Sequence, residues 1–337
     1  MVRNFILSVL LLAGLGAVHA QQTKGPQVGD LRTLDNMTVH DPVMVRQGNT
    51  YYLFSTGQGI SVWSSPDLQT WKKEAPVFAS APEWATQAVA GFKDNHIWAP
   101  DISFHKGNYY LYYSISAFGK NTSAIGLATN TTLNPQDKNF KWVDHGKVIV
   151  SVPGQTNWNA IDPNLFLDEK GTPWLAFGSF WGGLKLVKMH QNRLRVAQDL
   201  SEIPTIASRR KNVTQGANAI EAPFVFRKNG YYYLFASIDY CCKGAKSDYK
   251  MIVGRSKNAQ GPYVDKNGLA LEAGGGTMLL EGNEKWHGVG HNAVYTFDNI
   301  DYLVFHGYDA TQNGRAKLRI EKLTWDPEQW PVVAVAQ

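Results

Sequence analysis

His40-Asp41-Pro42-Val43-Met44-Val45-Arg46-Gln47-Gly48-Asn49-Thr50-Tyr51-Tyr52-Leu53-Phe54 reads as two short strands joined by a Gly-Asn turn. An aspartate beside a proline opens the unit, glycine and asparagine reverse the chain, and an aromatic run with strong β preference returns. The same plan recurs four more times. Asp101 leads to Lys106-Gly107-Asn108 and Tyr109-Tyr110-Leu111-Tyr112, and Asp162 to Glu169-Lys170-Gly171 and Trp174-Leu175-Ala176. Glu221 leads to Lys228-Asn229-Gly230 and the run from Tyr231 to Phe235, and His291 to Asp298-Asn299 and Tyr302-Leu303-Val304-Phe305. Taken as lead positions, these five polar residues are 60, 61, 59 and 70 residues apart. A small sheet repeated at a near-constant period is the signature of a propeller, whose equivalent positions converge on a central axis. The chain is therefore expected to be all-β, a five-bladed β-propeller in a single domain. That geometry carries Asp41, Asp162 and Glu221 to one rim of the channel.

Working outward, an alternating run follows each hairpin, at 59–64, 124–128, 184–189, 250–255 and 316–323, and is read as the third strand of a blade. A fourth, outer strand completes the set, and the segment ahead of Asp41 is expected to help close the ring. Residues 1–20, with Arg3, an apolar run from Phe5 to Val18 and the exit Ala17-Val18-His19-Ala20, read as a signal peptide. The apolar run is too short for a membrane span, so a secreted, extracellular protein with its propeller over residues 21–337 is expected. The net charge of +5, or +4 without Arg3, is too mild to imply nucleic acid, and Arg209-Arg210-Lys211 reads as a solvated loop. A monomer is expected.

Cys241 and Cys242 are adjacent and are the only two cysteines. They leave a vicinal disulfide and a buried dithiol as alternatives; two sulfurs alone do not make a zinc site. Asn36, Asn121, Asn130 and Asn212 each begin an N-glycosylation sequon.

Three carboxyl groups on one rim permit glycoside hydrolysis. One acid must protonate the leaving oxygen, one carboxylate must activate water or attack, and a third anion near the acid raises its pKa. An aspartate before proline also caps turns, and that reading stays open for Asp41 taken alone.

The ordered set His40-Asp41-Pro42, Trp98-Ala99-Pro100-Asp101, Ala160-Ile161-Asp162-Pro163-Asn164, Ile220-Glu221-Ala222-Pro223 and Gly290-His291-Asn292 resembles glycoside hydrolase family 43, in its endo-1,5-α-L-arabinanase branch. The resemblance runs from about Val39 to Leu323. It implies inverting cleavage of α-1,5-linked arabinofuranose in arabinan, with Asp41 as general base, Glu221 as general acid, and Asp162 as the residue that tunes and orients the acid. An inverting pair stands about 6.5–9.5 Å apart, with room for a water between. The resemblance also implies an axial calcium or similar ion at His291. Trp98 and Phe118 are the aromatics placed against sugar rings, and His40, Gly119, Asn159, Ala160, Ile161, Asp162 and the run Ser179-Phe180-Trp181 resemble substrate-lining positions. Asp101 falls outside the catalytic set and is expected to be structural. Exo-acting α-L-arabinofuranosidases and β-xylosidases of the same family are the alternative readings, because they share the three carboxyls. A non-catalytic carbohydrate-binding propeller is a third, disfavoured by the electrostatic cost of gathering three anions.

Overall fold

The structure is a computed structural model, described here over residues 26–201, 203–209 and 218–334. The signal-peptide segment, Arg210, Lys211 and the sequon at Asn212 lie outside these residues. Among the described residues five antiparallel sheets follow one another along the chain. The first blade runs Val43–Gln47, Thr50–Ser55, Ser61–Ser65 and Thr70–Glu74, and the second His96–His105, Asn108–Ile115, Ser123–Asn130 and Val143–Ser151. The third runs Asn164–Leu167, Pro173–Phe177, Leu184–Lys188 and Thr205–Ala207. Ile220–Lys228, Tyr231–Ile238, Lys250–Ser256 and Thr277–Leu280 make the fourth, and Trp286–Phe297, Ile300–Asp309, Arg315–Trp325 and Pro331–Val333 the fifth. The repeat read in the sequence is thus the blade.

The apolar core lies between blades rather than in one central mass. Tyr112, Ile125 and Leu127 of the second blade pack with Leu165, Leu175 and Phe177 of the third. Phe166, Trp174 and Leu186 then meet Val225, Tyr232 and Leu234 of the fourth. Strands covered on both faces lose the one-in, one-out alternation of a half-exposed sheet, and Pro173–Phe177 is buried at every residue. The segment ahead of Asp41 closes the ring as expected, by a short seam. The N–H of Val39 reaches the Ala316 carbonyl (3.2 Å), the N–H of Leu318 reaches that of Met37 (3.1 Å), and Met37 and Leu318 share the core between first and fifth blades. Leu31–Thr33 then edges the first blade.

The frame of the repeat needs correction. Just ahead of the inner strand in the first and third blades, and at an irregularity within it in the second, fourth and fifth, one residue takes a positive φ: Asp41 (53°), Ala99 (38°), Asp162 (55°), Ala222 (55°) and His291 (52°). The first four each precede a proline. Asp101 is therefore two residues past its turn and Glu221 one residue before its own; neither is equivalent to Asp41. Left-handed backbone at a residue other than glycine costs about 1–3 kcal/mol and persists where the surroundings hold it. Here the surroundings are the preceding blade.

The N–H of Ala99 bonds Thr56 Oγ1 (2.8 Å), that of Asp162 bonds Ser114 Oγ (3.0 Å), that of His291 bonds Ser237 Oγ (2.8 Å), and that of Asp41 bonds His306 Nδ1 (3.2 Å). All four acceptors stand at the exit of the preceding blade's second strand. Asn164 pairs with Ala176 as Val43 pairs with Phe54, so the third blade's corresponding position is Gly178. Gly178 has φ 128°, and a Cβ there would lie 2.9 Å from the carbonyl oxygen of Gly183, so no side chain fits. The orphaned N–H of Ala222 is taken instead by Asp162 Oδ2 (3.1 Å). Asp101 has the structural role expected of it: its carboxyl accepts from the Leu165 N–H (2.8 Å) and from Asn164 Nδ2 (3.1 Å) in the next blade.

Candidate active site

Asp41 is buried, and three donors converge on its carboxyl group. Oδ1 receives His40 Nδ1 (2.8 Å) and His291 Nδ1 (3.0 Å), and Oδ2 receives the Thr56 hydroxyl (2.5 Å). Burial pushes this carboxyl up, but the charge of His291 and the hydrogen bonds from His291 and His40 outweigh it and hold Asp41 well below the usual carboxylate range. Burial pushes His291 down, yet Asp41, with help from Asp162 and Glu221, lifts it to about 9. Near neutral pH the two form an ion pair. A carboxylate offers about four lone-pair sites, so one remains on Asp41 for a further donor such as water.

Glu221, at the start of the fourth blade's inner strand, accepts from Tyr249 Oη at Oε1 and from Ser179 Oγ at Oε2, both at 2.7 Å. Ser179 is placed by a loop from the third blade that pairs with Glu221, where the N–H of Phe180 reaches the Ile220 carbonyl (2.9 Å). Hydroxyls donate or accept as needed, so this cradle accommodates the carboxyl with or without its proton.

Asp162 completes the rim. Its bond to the N–H of Ala222 puts it beside Glu221, and burial, together with the charges of Glu221 and Asp41, pushes it up to about 8 against the pull of His291 and that N–H. A buried aspartate whose folded pKa lies above the unfolded 3.8 costs stability increasingly as pH rises from 3.8 to about 8. Asp162→Asn keeps an oxygen for Ala222 and removes that cost. The variant is expected to match the native protein near pH 4 and to melt several degrees higher near pH 8–9, while turning over poorly. Thermal melts across that range check it, and equal melting temperatures at pH 9 would contradict the burial argument.

The model for glycosyl hydrolases family 43 matches residues 34–331. This chain is a family 43 glycosyl hydrolase. It is 51% identical over 300 residues, 88% of this chain and 86% of the relative, to an extracellular exo-α-(1→5)-L-arabinofuranosidase of Cellvibrio japonicus. With an extracellular endo-α-(1→5)-L-arabinanase of Bacillus subtilis it shares 43% identity, covering 88% of each chain. The structure of a Cellvibrio cellulosa α-L-arabinanase complexed with arabinohexaose superposes with TM-score 0.85 at 50% identity, over 90% of this chain and 96% of that one.

Around the carboxyls of this family 43 propeller, the expected lining residues divide. Trp98 and the 79%-exposed Phe118 border a hollow of about 280 Å³ together with Lys93, His96 and Ser116. Gly119 (φ 71°) makes the exposed turn after Phe118. Phe180 and Trp181 are half-buried at positive φ (53° and 37°), with the Phe180 ring 5.9 Å from Tyr240. Ala160 is 0% exposed and offers no surface to a sugar; its N–H bonds Ser151 Oγ (3.0 Å), and Asn159 and Ile161 are buried beside it. That segment leads into Asp162, with the N–H of Ile161 on the Asn159 carbonyl (2.9 Å) and the N–H of Gly178 on that of Ile161 (2.9 Å). His40 is half-buried, engaged at both ring nitrogens.

Cys241 and Cys242 form the vicinal disulfide. Asn121 and Asn130 are buried, which takes two of the sequons out of reach of glycosylation, whereas Asn36 is exposed. Among the described residues, the groups of three or more side chains able to hold a metal are His40, Cys241 and Cys242, and His40, Asp41 and His306. The disulfide ties up the first and hydrogen bonds the second; His291 belongs to neither. Calcium takes six to eight oxygen ligands, and one imidazole paired with Asp41 does not by itself supply such a shell. Residues not anticipated from the sequence are Thr56, Ser114, Ser237 and His306, at the strand exits, and the buried tyrosines Tyr249 and Tyr308.

Proposed function

We propose that the protein is a secreted hydrolase of the α-1,5-L-arabinofuranosyl bonds of arabinan, acting with inversion. The observation that carries the chemistry is the contrast between carboxyls on one rim: Asp41 kept ionised by two imidazoles, and Asp162 kept protonated beside Glu221. Asp41 would use its remaining lone pair to take a proton from water as the water oxygen bonds to the anomeric carbon. Glu221 would give its proton to the departing sugar oxygen as the glycosidic bond breaks. Asp162 and Glu221 share a rim on which a second negative charge is disfavoured, so the pair holds a proton that Glu221 can deliver where the leaving group needs it. Interacting carboxyls titrate as a set, so the pH profile belongs to the group.

The relatives support this substrate, since one is named an exo-α-(1→5)-L-arabinofuranosidase and the other an endo-α-(1→5)-L-arabinanase. The greater identity to the exo-acting relative favours attack from chain ends; the resemblance of Phe118–Ser123 and Ser179–Gly183 to the family's endo-arabinanase branch favours internal cleavage. Debranched arabinan separates these. Rapid accumulation of arabinose or a single short product supports exo action, and mixed oligomers with a fast fall in viscosity support endo action. Proton NMR of the first product reports its anomeric form; retention, or no hydrolysis of arabinan at all, would sink the reading.

A further inference from the structure

Tyr308 and its neighbours determine which nitrogen of His40 carries the proton. The N–H of Asp41 is an obligatory donor, so His306 Nδ1, 3.2 Å away, is the acceptor. His306 is fully buried and held well below the usual imidazole range, so it is neutral and its proton is on Nε2, facing the Tyr308 oxygen at 3.3 Å. The N–H of disulfide-linked Cys242 donates to the same oxygen at 2.8 Å. With two donors on its lone pairs, the Tyr308 hydroxyl turns its own proton to its closest remaining partner, His40 Nε2, at 2.7 Å. An Nε2 that accepts leaves the His40 proton on Nδ1, 2.8 Å from Asp41 Oδ1. The ring cannot rotate out of this arrangement freely, because it stacks on His306 with centroids 4.0 Å apart.

We propose that Tyr308, anchored by His306 and by the backbone of the vicinal disulfide, is a positioning residue that fixes the His40 tautomer so that His40 donates to the general base. The disulfide acquires a purpose here. Next to that bond Cys242 stands at φ 66°, with its N–H aimed at the Tyr308 oxygen. This inference rests on the reading of Asp41 as the base, yet its first test needs no turnover.

The test is Tyr308→Phe in the full chain, which removes the hydroxyl and keeps the ring. In histidine-labelled protein, two-bond proton–nitrogen correlations read the tautomer. Native His40 is expected as Nδ1–H alone, and the variant as a mixture with Nε2–H. Losing one hydrogen bond to the base should lower kcat on debranched arabinan about 10- to 100-fold, with KM changed less than about twofold because Tyr308 acts through His40. The double variant Cys241→Ser/Cys242→Ser is expected to lower kcat less, and to add nothing in the Tyr308→Phe background, since both act through one oxygen. An unchanged tautomer, or losses that multiply in the combined variant, overturns the proposal. A native enzyme that shows the Nδ1–H tautomer but ignores arabinan would overturn the substrate reading and leave the relay standing.

Discussion

Asp41→Asn is expected to lower kcat on debranched arabinan by about 10³-fold or more, near the upper part of what general-base catalysis contributes. The amide keeps the shape of the carboxylate, and its oxygen still serves His40, so geometry survives while the proton acceptor is lost. A better leaving group should not help, because the missing step is activation of water. The variant carries a second cost: the imidazolium of His291 is left buried without its anion, a loss of about 3–5 kcal/mol for a broken buried pair. The sign of the pH dependence follows from the two partners. Asp41, depressed in the folded state, contributes above 3.8 and loses its contribution as pH falls through its folded value; His291, raised to about 9, contributes fully below 6.5 and loses it as pH rises through 9. The stability gap between native and variant should be widest near neutrality and close at both extremes. Denaturant midpoints measured from pH 3 to pH 10 give this directly. Activity within about tenfold of native would remove Asp41 from the mechanism.

Glu221→Gln should behave differently in one diagnostic respect. Against arabinan, whose leaving group is a sugar alkoxide, kcat is expected to fall about 10²- to 10⁴-fold, the range of general-acid assistance. Against an arabino-oligosaccharide carrying a nitrophenyl leaving group, which departs without a proton, most of that loss should vanish. The glutamine oxygen still accepts from one of Ser179 and Tyr249, and its NH2 donates to the other, whose hydroxyl turns to accept, so the cradle persists and folding is little disturbed. Equal losses on both substrates would show that Glu221 is not the acid. Together the two substitutions divide the reaction: one is blind to the leaving group and the other is governed by it.

Much of this architecture was legible because it is local. Gly-Asn and Asn-Gly turns between aromatic runs are read within a dozen residues, and their recurrence determines the blade count. Asp41, Asp162 and Glu221 stand out for a different reason, as members of an ordered motif set. The frame is harder to read, because the carboxyls and the turn prolines suggest different alignments. Setting the copies in register on their carboxyls equated Asp101 and Glu221 with Asp41, whereas setting them on Pro42, Pro100, Pro163 and Pro223 gives the true frame. The acceptors Thr56, Ser114, Ser237 and His306 left no shared signal, being of three residue types that do their work across a blade boundary. Tyr308 and Tyr249 look like core in a chain with 15 tyrosines, and only the direction of their hydroxyls tells them apart. The burial of Ala160 and Asn159 likewise comes from neighbouring blades, and no pattern in their own motif announces it.

Gly178 is a small vacancy with a long reach. Because that one glycine leaves its neighbour's amide unclaimed, the join between the third and fourth blades depends on a carboxyl that also serves the chemistry. In evolutionary terms this couples two kinds of selection at Asp162. A descendant that abandoned hydrolysis is free to discard Glu221, yet must keep an acceptor at residue 162 or rebuild the loop at 178 before drifting further. The inheritance of the enzyme is in this respect conservative: its scaffold retains a trace of its trade after the trade is lost.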